Sequence, residues 1–237
     1  MQPELSILML TFNRLYYTQQ TLDRLLKTVD VSYELIISDN GSVDGTKEFL
    51  ESFKGIQLIS HKKNIGMGPA LNIALKQSTG ETIMKLDNDI LLPDHWASIL
   101  VDAYQKGKEE KGVGWLNPIV EGEFPFRLPT FRIGDYIYHV GPPVAGPCGI
   151  TDKDLLKSIG GFRYSRFKYG AVDGGTNTAI HSQKRKVCWL ENLVAIHLES
   201  GDRNRFQDYW QWKLSIIKAG RSGANVKDLD WNKYYGS

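Results

Sequence analysis

The chain has 237 residues, of which 41% are hydrophobic and 24% charged, and its formal net charge is +2. These values are ordinary for a globular domain and argue against disorder, and the mild charge argues against a general polyanion-binding protein. No apolar run approaches the ~18–20 residues that span a bilayer, and no secretion signal opens the sequence. Cys148 and Cys188 show no Cys-x-x-Cys spacing. They are expected to be reduced thiols, which predicts a cytoplasmic protein.

The first hundred residues alternate short apolar runs with amphipathic segments. Strands are predicted at 5–10, 34–38, 56–59 and 82–86, and helices at 18–27, at 46–53, from Pro69 onward and from 93 or 94 through 103. This alternation is typical of parallel βαβ units with helices on both faces. Ligands of such sheets bind beyond the carboxyl ends of the strands. The residues of interest are therefore those at 11–14, 39–44, 61–68 and 87–89.

The pattern changes after about residue 106. Residues 109–112 are predicted to form a charged loop, and 122–147, rich in glycine, proline and aromatic residues, to form irregular strands and loops. A strand is predicted at 186–198 and a helix at 206–219.

Two carboxylates, Asp87 and Asp89, flank one residue directly after the fourth predicted strand. Aspartate is disfavoured in strands, and an unpaired carboxylate in a burial-prone setting is costly. Mg²⁺ and Mn²⁺ take oxygen ligands and are often held by one or two carboxylates with substrate phosphates. The alternative is a polar turn that caps the next helix. With a metal bound here, Asp89→Ala is expected to abolish turnover and leave the fold intact.

Two further polar loops follow the second and third predicted strands. Asp39 stands where an acidic residue could accept hydrogen bonds from a base or ribose, whereas Asp44 is predicted to cap the helix at residue 46. Gly66 and Gly68 do not complete a dinucleotide fingerprint, because Leu71 stands at the third glycine position. A close approach of backbone to ligand is the better interpretation of these glycines.

Residues 5 to about 100 resemble the nucleotide-binding half of family-2-type inverting glycosyltransferases with the GT-A fold. The segments that carry the resemblance, in order and at their spacing, are 6–14, 36–46, 64–72 and 86–89. The resemblance implies an α/β fold with a Rossmann-like, mixed but mainly parallel sheet flanked by helices. It implies a nucleotide-sugar-binding half at 1–105 and an acceptor-binding, catalytic half at 106–237 of the same single domain.

The same resemblance implies roles for individual residues. Asp89 would be a ligand of Mn²⁺ or Mg²⁺, and His197 matches a late histidine of the family near the metal or diphosphate. The nucleotide would be contacted by Thr11, Phe12, Asn13, Arg14, Asp39, Asn40, Asn64, Gly66, Asp87 and Asn88.

The second half resembles the family more loosely, at 146–150 and 160–162. Residues 169–174 are similar to the stretch that usually holds a Glu-Asp pair with the catalytic base, but Val172 replaces the glutamate. Asp173 remains the candidate base, in an extended segment that the glycines after it would let bend, or alternatively in a plain turn. Asp152, Glu191 and Glu199 are the next candidates.

The resemblance therefore implies a metal-dependent, inverting transfer of a sugar from a nucleotide-sugar, with a UDP-sugar favoured because of Asp39. The acceptor is left open among a glycan, a lipid-linked sugar and a modified DNA base. A lipid-linked acceptor would add peripheral attachment at the membrane to the predicted cytoplasmic location. Two alternatives remain: a nucleotide-sugar-binding module that has lost turnover, and a nucleotidyltransferase.

Overall fold

The computed structural model describes residues 2–121, 128–141, 146–163 and 172–198, except for the side chain of residue 173. Its strands are β1 (Leu5–Thr11), β2 (Tyr33–Asp39), β3 (Gln57–Ser60), β4 (Thr82–Asp87), β5 (Ile90–Leu91), β6 (Val113–Val120), β7 (Thr130–Ile133), β8 (Tyr136–Val140), β9 (Cys148–Asp152) and β10 (Lys186–His197). Its helices are α1 (Leu15–Thr28), α2 (Thr46–Glu51), α3 (Met67–Gln77), α4 (Trp96–Lys111), α5 (Lys153–Ser158) and α6 (Val172–Ser182).

One sheet organises these elements, in the order β3-β2-β1-β4-β9-β6-β10-β8-β7, with β5 paired to β10. Strands β1 to β4 run parallel to one another, and β9 lies antiparallel between β4 and β6. Since β6 and β10 are parallel, the carboxyl ends of β1, β2, β4 and β10 point to the same edge. The sheet is therefore mixed, as the sequence predicts, with a parallel first half.

The helices cover both faces of the sheet. Side chains alternate along β1, so that Leu5, Ile7 and Met9 face the core under α1, α2 and α4, whereas Leu8 and Leu10 face the core under α3, α5 and α6. This is the alternation that a period of two residues gives a strand buried on both sides.

Two helix boundaries correct the sequence-based expectations. Helix α4 continues through the segment predicted as a charged loop and ends at Lys111, where Gly112 takes a left-handed conformation with φ +69°. Glycine adopts this C-terminal conformation without a Cβ clash, so the glycine ends a helix here. Helix α3 begins at Met67, which places Pro69 third in the helix. Proline is tolerated there because the first four N–H groups have no partner within the helix.

The segment around Asp173 is also helical and neither extended nor a plain turn, because α6 begins at Val172. Val172 is 3% exposed and joins the core cluster that contains Phe162 and Ile180. Burial of this residue anchors the first turn of the helix, and the glycines that follow lie inside the helix. The helix predicted at 206–219 falls outside the described residues. Among the described residues no helix is long and apolar enough to cross a membrane.

Candidate active site

The parallel strands bring three of the predicted site residues to one edge. Thr11 and Asp39 are register partners at the ends of β1 and β2, and Asp87 ends β4 beside Leu10. His197 arrives from the far half of the sheet, because the end of β10 pairs with Ile90 of β5. Residues that are far apart in sequence thus meet at the edge where α/β sheets bind ligands.

Asp89 forms a buried ionic cluster with Arg14 and His197. The Asp89 side chain is 3% exposed; its Oδ2 accepts a hydrogen bond from Arg14 Nη2 and lies 3.0 Å from His197 Nε2. Burial by itself raises the pKa of this carboxyl group, but the Arg14 guanidinium and the His197 ring hold the pKa of Asp89 well below its usual range. Asp89 is therefore a permanent anion at neutral pH.

An unusual backbone conformation directs the Arg14 side chain toward Asp89. Arg14 and its neighbour Asn13 both have positive φ angles, 68° and 54°, and Arg14 directly precedes α1. Positive φ is uncommon for residues with a Cβ and clusters at functional sites. The turn is held by Asn13, whose N–H donates to Ser42 Oγ at 2.7 Å and whose Oδ1 accepts the Val43 N–H at 2.8 Å.

Asp87 has a different partner and a different environment. Its side chain is 27% exposed, and its Oδ1 lies 2.9 Å from Nζ of Lys85, a lysine that is 0% exposed. Lys85 also donates to the carbonyl of Gly146 at 3.2 Å. Asn88, between the two aspartates, donates through Nδ2 to Thr18 Oγ1 at 2.8 Å and so ties the loop to α1. The two carboxylates therefore stand in separate ion pairs.

A network of hydrogen bonds surrounds Asp39, which is completely buried. Its Oδ1 accepts from Thr11 Oγ1 at 2.9 Å and from the Ser42 hydroxyl, and its Oδ2 accepts the Ser42 N–H at 3.1 Å. A carboxylate oxygen can accept two hydrogen bonds, so Oδ2 keeps capacity for one more donor. Phe12 follows Thr11 and is partly exposed at the rim.

Hydrogen bonds connect the loops that follow β2 and β3, through Asn40, Asn64 and Gly66. Asn40 donates through Nδ2 to Asn64 Oδ1 at 3.0 Å and accepts the Ile65 N–H at 2.9 Å, and Asn64 Oδ1 also accepts the Gly66 N–H at 2.9 Å. Gly66 has φ +94°, a conformation open to glycine. These side chains hold the shape of the loop that precedes α3.

The N-cap of α2 is Gly45 and not the predicted Asp44, but the Asp44 carboxylate bonds to the first residues of two helices. Asp44 Oδ1 accepts from Thr46 N and Oγ1 at 3.1 and 2.6 Å, at the start of α2. Its Oδ2 accepts the N–H of Leu15 at 2.9 Å, at the start of α1. Free N–H groups of both first turns are thus satisfied by one carboxylate.

The candidate catalytic bases lie in different parts of the fold. Asp173 lies in the first turn of α6, and its side chain is outside the described residues. Asp152 pairs with Thr82 at the start of β4, at the edge opposite Asp87, and forms an ion pair with Lys108 at 2.9 Å. Glu191 lies within β10 and bonds to His139 at 2.7 Å. Glu199 lies outside the described residues. The structure thus does not bring Asp152 to the Asp87 edge.

Sequence reasoning missed Lys85, Ser42 and Asn72. Asn72 of α3 clamps the backbone of Phe162, donating to its carbonyl at 3.0 Å and accepting its N–H at 2.8 Å. For Lys85 a signal was available, since a lysine two positions before Asp87 in an apolar strand lies on the same face as that carboxylate. Ser42 and Asn72 carry no such local signal.

The donor set fits a divalent cation only in part. Within the described part of the chain no three acidic, histidine or cysteine side chains form a group that could hold a metal. The 3.0 Å between Asp89 Oδ2 and His197 Nε2 matches adjacent ligands at about 2.1 Å from one octahedral ion. The described residues therefore offer two ligands, and an ion held by so few protein groups typically also binds substrate phosphates.

This mixed α/β sheet, flanked by helices and with buried carboxylates at the carboxyl edge of its parallel strands, is a GT-A fold. The chain belongs to glycosyl transferase family 2, whose sequence profile matches residues 6–160.

Curated relatives are also described as glycosyltransferases. An uncharacterized glycosyltransferase of Rickettsia felis is 30% identical over 221 residues, which are 90% of this chain and 36% of the relative. An uncharacterized glycosyltransferase of Haemophilus influenzae is 27% identical over 138 residues, 56% of this chain and 43% of the relative. The chain thus spans less than half the length of these relatives.

Solved structures share the fold. Mannosyltransferase PcManGT from Pyrobaculum calidifontis, in complex with GDP-Man and Mn²⁺, has a TM-score of 0.63 at 22% identity, covering 84% of this chain and 57% of its own. S. aureus TarS in complex with UDP-GlcNAc has a TM-score of 0.61 at 19% identity, covering 83% and 58%. GalNAc-T7 with UDP, GalNAc and Mn²⁺ has a TM-score of 0.66 at 12% identity, covering 83% and 43%. At these identities the likeness shows the GT-A fold.

Proposed function

We propose that this chain is a metal-dependent, inverting glycosyltransferase that moves a sugar from a nucleotide-sugar to a hydroxyl group. The observation that carries the proposal is the contact between Asp89 and His197, close in sequence to Asp87 and at the same carboxyl edge of a family 2 sheet as Asp39. A nucleoside bound at Asp39 would direct its diphosphate along the edge toward the other two carboxylates.

Asp89 and His197 are the proposed ligands of Mn²⁺ or Mg²⁺, with Asp87 at the ribose side. The ion, when bound, supplies Lewis-acid stabilisation of the departing diphosphate. Mn²⁺ accompanies the nucleotide in two of the structures that share this fold. Arg14 orients Asp89, because its guanidinium bonds to the same oxygen that faces His197.

The proposed donor carries uridine. The carboxylate of Asp39 keeps capacity for one N–H donor, and uracil presents an N–H at N3 whereas cytosine presents none there. The related folds carry either UDP or GDP, so the preference is argued from Asp39 and its neighbours. Thr11, Phe12, Asn13 and the loop with Asn40, Asn64 and Gly66 would complete the nucleoside pocket.

The proposed reaction is a single displacement at the anomeric carbon. A base accepts the proton of the acceptor hydroxyl while its oxygen attacks opposite the diphosphate, and such assistance contributes roughly 10²–10⁴-fold. Asp173 is the proposed base. The turn that leads to its helix is fixed to α3 by the clamp between Asn72 and Phe162. A glycan, a lipid-linked sugar and a modified DNA base remain the acceptors to test.

Calorimetry with UDP, GDP, CDP and dTDP sugars, with Mn²⁺ and with EDTA, tests the donor. We expect UDP to bind tightest in Mn²⁺, and Asp39→Ala to reduce its advantage over CDP. Equal affinity for all four nucleotides would refute the uridine proposal, and full turnover in EDTA would refute the metal.

Acceptor arrays with the best donor then test the reaction. Product release as nucleoside diphosphate supports sugar transfer. Donor binding without any hydrolysis or transfer would identify a binding module, and consumption of a nucleoside triphosphate with pyrophosphate release would identify a nucleotidyltransferase.

A further inference from the structure

A lysine is buried in the centre of the sheet directly beneath the candidate metal site. Lys85 is 0% exposed, and its neighbours in β4 are the apolar residues Ile83, Met84 and Leu86. A buried ammonium group is costly unless it is paired and hydrogen-bonded. Packing alone would be served by another apolar residue, so the charge of Lys85 calls for an explanation.

The position of the ammonium group is fixed on one face. Lys85 and Asp87 are two residues apart in a strand and share a face, with Nζ 2.9 Å from Asp87 Oδ1 and 3.2 Å from the Gly146 carbonyl. The strand beside it packs tightly, since a Cβ on Gly149, the register partner of Lys85, would lie 2.2 Å from Trp115 Nε1. The ammonium group of Lys85 is held by both Asp87 and the Gly146 carbonyl.

Lys85 also changes the charge of the site. The two pairs, Lys85 with Asp87 and Arg14 with Asp89, contain two positive and two negative groups, so their formal charges cancel. A divalent cation is attracted to carboxylates through their net negative charge. With both carboxylates already balanced, that attraction is weak until another anion joins the site.

We propose that Lys85 is the resident counter-ion of Asp87 and makes metal binding depend on the diphosphate of the donor. The inference rests on the proposed function for the identity of that anion. Lys85 is a positioning residue in this scheme: it contacts neither donor nor metal, and it acts through the charge and orientation of Asp87. Removal of the Lys85 charge would leave the two pairs with a net negative charge, which would repel the diphosphate.

Binding measurements on the purified chain test this inference, with Mn²⁺ alone and with UDP in EDTA as the probes. In Lys85→Met we expect Mn²⁺ alone to bind about tenfold tighter or more, as loss of one positive charge at a partly buried site implies. We expect UDP in EDTA to bind about tenfold weaker for the same reason. Free Mn²⁺ can be followed by its paramagnetic resonance signal.

Opposite shifts of the two affinities separate a charge effect from damage to the fold, which would weaken both. Lys153→Met is the matched control: Lys153 is partly buried, donates to the Ser78 carbonyl and follows Asp152 at the opposite edge of the sheet. Its loss should leave both affinities unchanged. Lys85→Gln, which keeps a hydrogen-bond donor without the charge, repeats the test if Lys85→Met does not fold.

Unchanged affinities in the Lys85 variants, or shifts in the same direction, would overturn the inference. If the unmodified chain binds no nucleotide diphosphate at all, the proposed function fails instead. The Mn²⁺ measurement without nucleotide still decides the role of Lys85 in that case.

Discussion

Replacing Asp89 by asparagine removes one negative charge from a buried ion pair and keeps the size of the side chain. Asp89 and Arg14 are only 3% and 8% exposed, so the guanidinium would lose a buried counter-ion. Removing one partner of a buried pair costs about 3–5 kcal/mol. For a chain of this size we therefore expect the midpoint of thermal unfolding to fall by roughly 6–20 °C.

This expectation revises the simpler one from the sequence, that a change at Asp89 leaves the fold intact. Loss of turnover in an Asp89 variant has two sources, a lost metal ligand and a weakened fold. Arg14→Met combined with Asp89→Asn separates them, because the double variant removes both charges of the pair. We expect the double variant to regain much of the stability while Mn²⁺ binding in the presence of UDP stays lost.

The pH dependence of stability is an independent test of the ion pair between Asp89 and Arg14. The pKa of Asp89 is lowered from its ordinary value of 3.8, so its stabilisation is complete above that value and is lost as pH falls through the lowered pKa. Thermal unfolding of the unmodified chain and of Asp89→Asn should therefore differ most at neutral pH and converge in strong acid. A midpoint for Asp89→Asn within about 2 °C of the unmodified chain at neutral pH, less than 1 kcal/mol, would refute the reasoning.

Three further outcomes are expected. Asp173→Asn should keep donor affinity in calorimetry and lower turnover about 10²-fold or more, and near-normal turnover would move the base elsewhere. Gly161→Ala should lower the free energy of unfolding in urea by more than Gly55→Ala does. Both glycines have φ near +87°, but only at Gly161 would a Cβ meet another atom closely, Asn72 Oδ1 at 2.3 Å. Equal losses of stability in the two variants would show that the clash relaxes. Burial lowers the pKa of His61 from 6.5, so the stability due to its neutral form is complete above that value and is lost as pH falls through the lowered pKa. In urea titrations between about pH 5 and 8, His61→Gln should remove this loss of stability. An unchanged slope of the free energy of unfolding against pH in the variant would contradict this expectation.

The sequence determined the parallel half of the fold, because its signals are local. Alternating apolar strands and amphipathic helices predicted β1 to β4 and α1 to α4, and strands of this kind place their carboxyl ends together. Asp39 and Asp87 could therefore be assigned to one edge before the structure was known. The contact of Asp44 with the start of α2 likewise followed from its position before a helix, although Gly45 takes the N-cap position.

The sequence was less informative after residue 106, where the sheet order depends on long-range pairing. Insertion of β9 between β4 and β6, and the return of β10 to β5, bring His197 to Asp89 across 108 positions of the chain. Strand pairing of this kind depends on which surfaces pack together, which no window of sequence reports. The resemblance named His197, but its contact with Asp89 required the assembled sheet.

Only the tertiary structure decided how the charges of the site are arranged. Asp87 and Asp89 form one motif in the sequence, yet they belong to separate ion pairs with Lys85 and Arg14. The partner of each depends on the direction of a side chain, set by the strand period for Lys85 and by a left-handed backbone for Arg14. Burial then turns these pairs into strong interactions, because the cost of desolvating a charge and the strength of its pairing both depend on the surrounding fold.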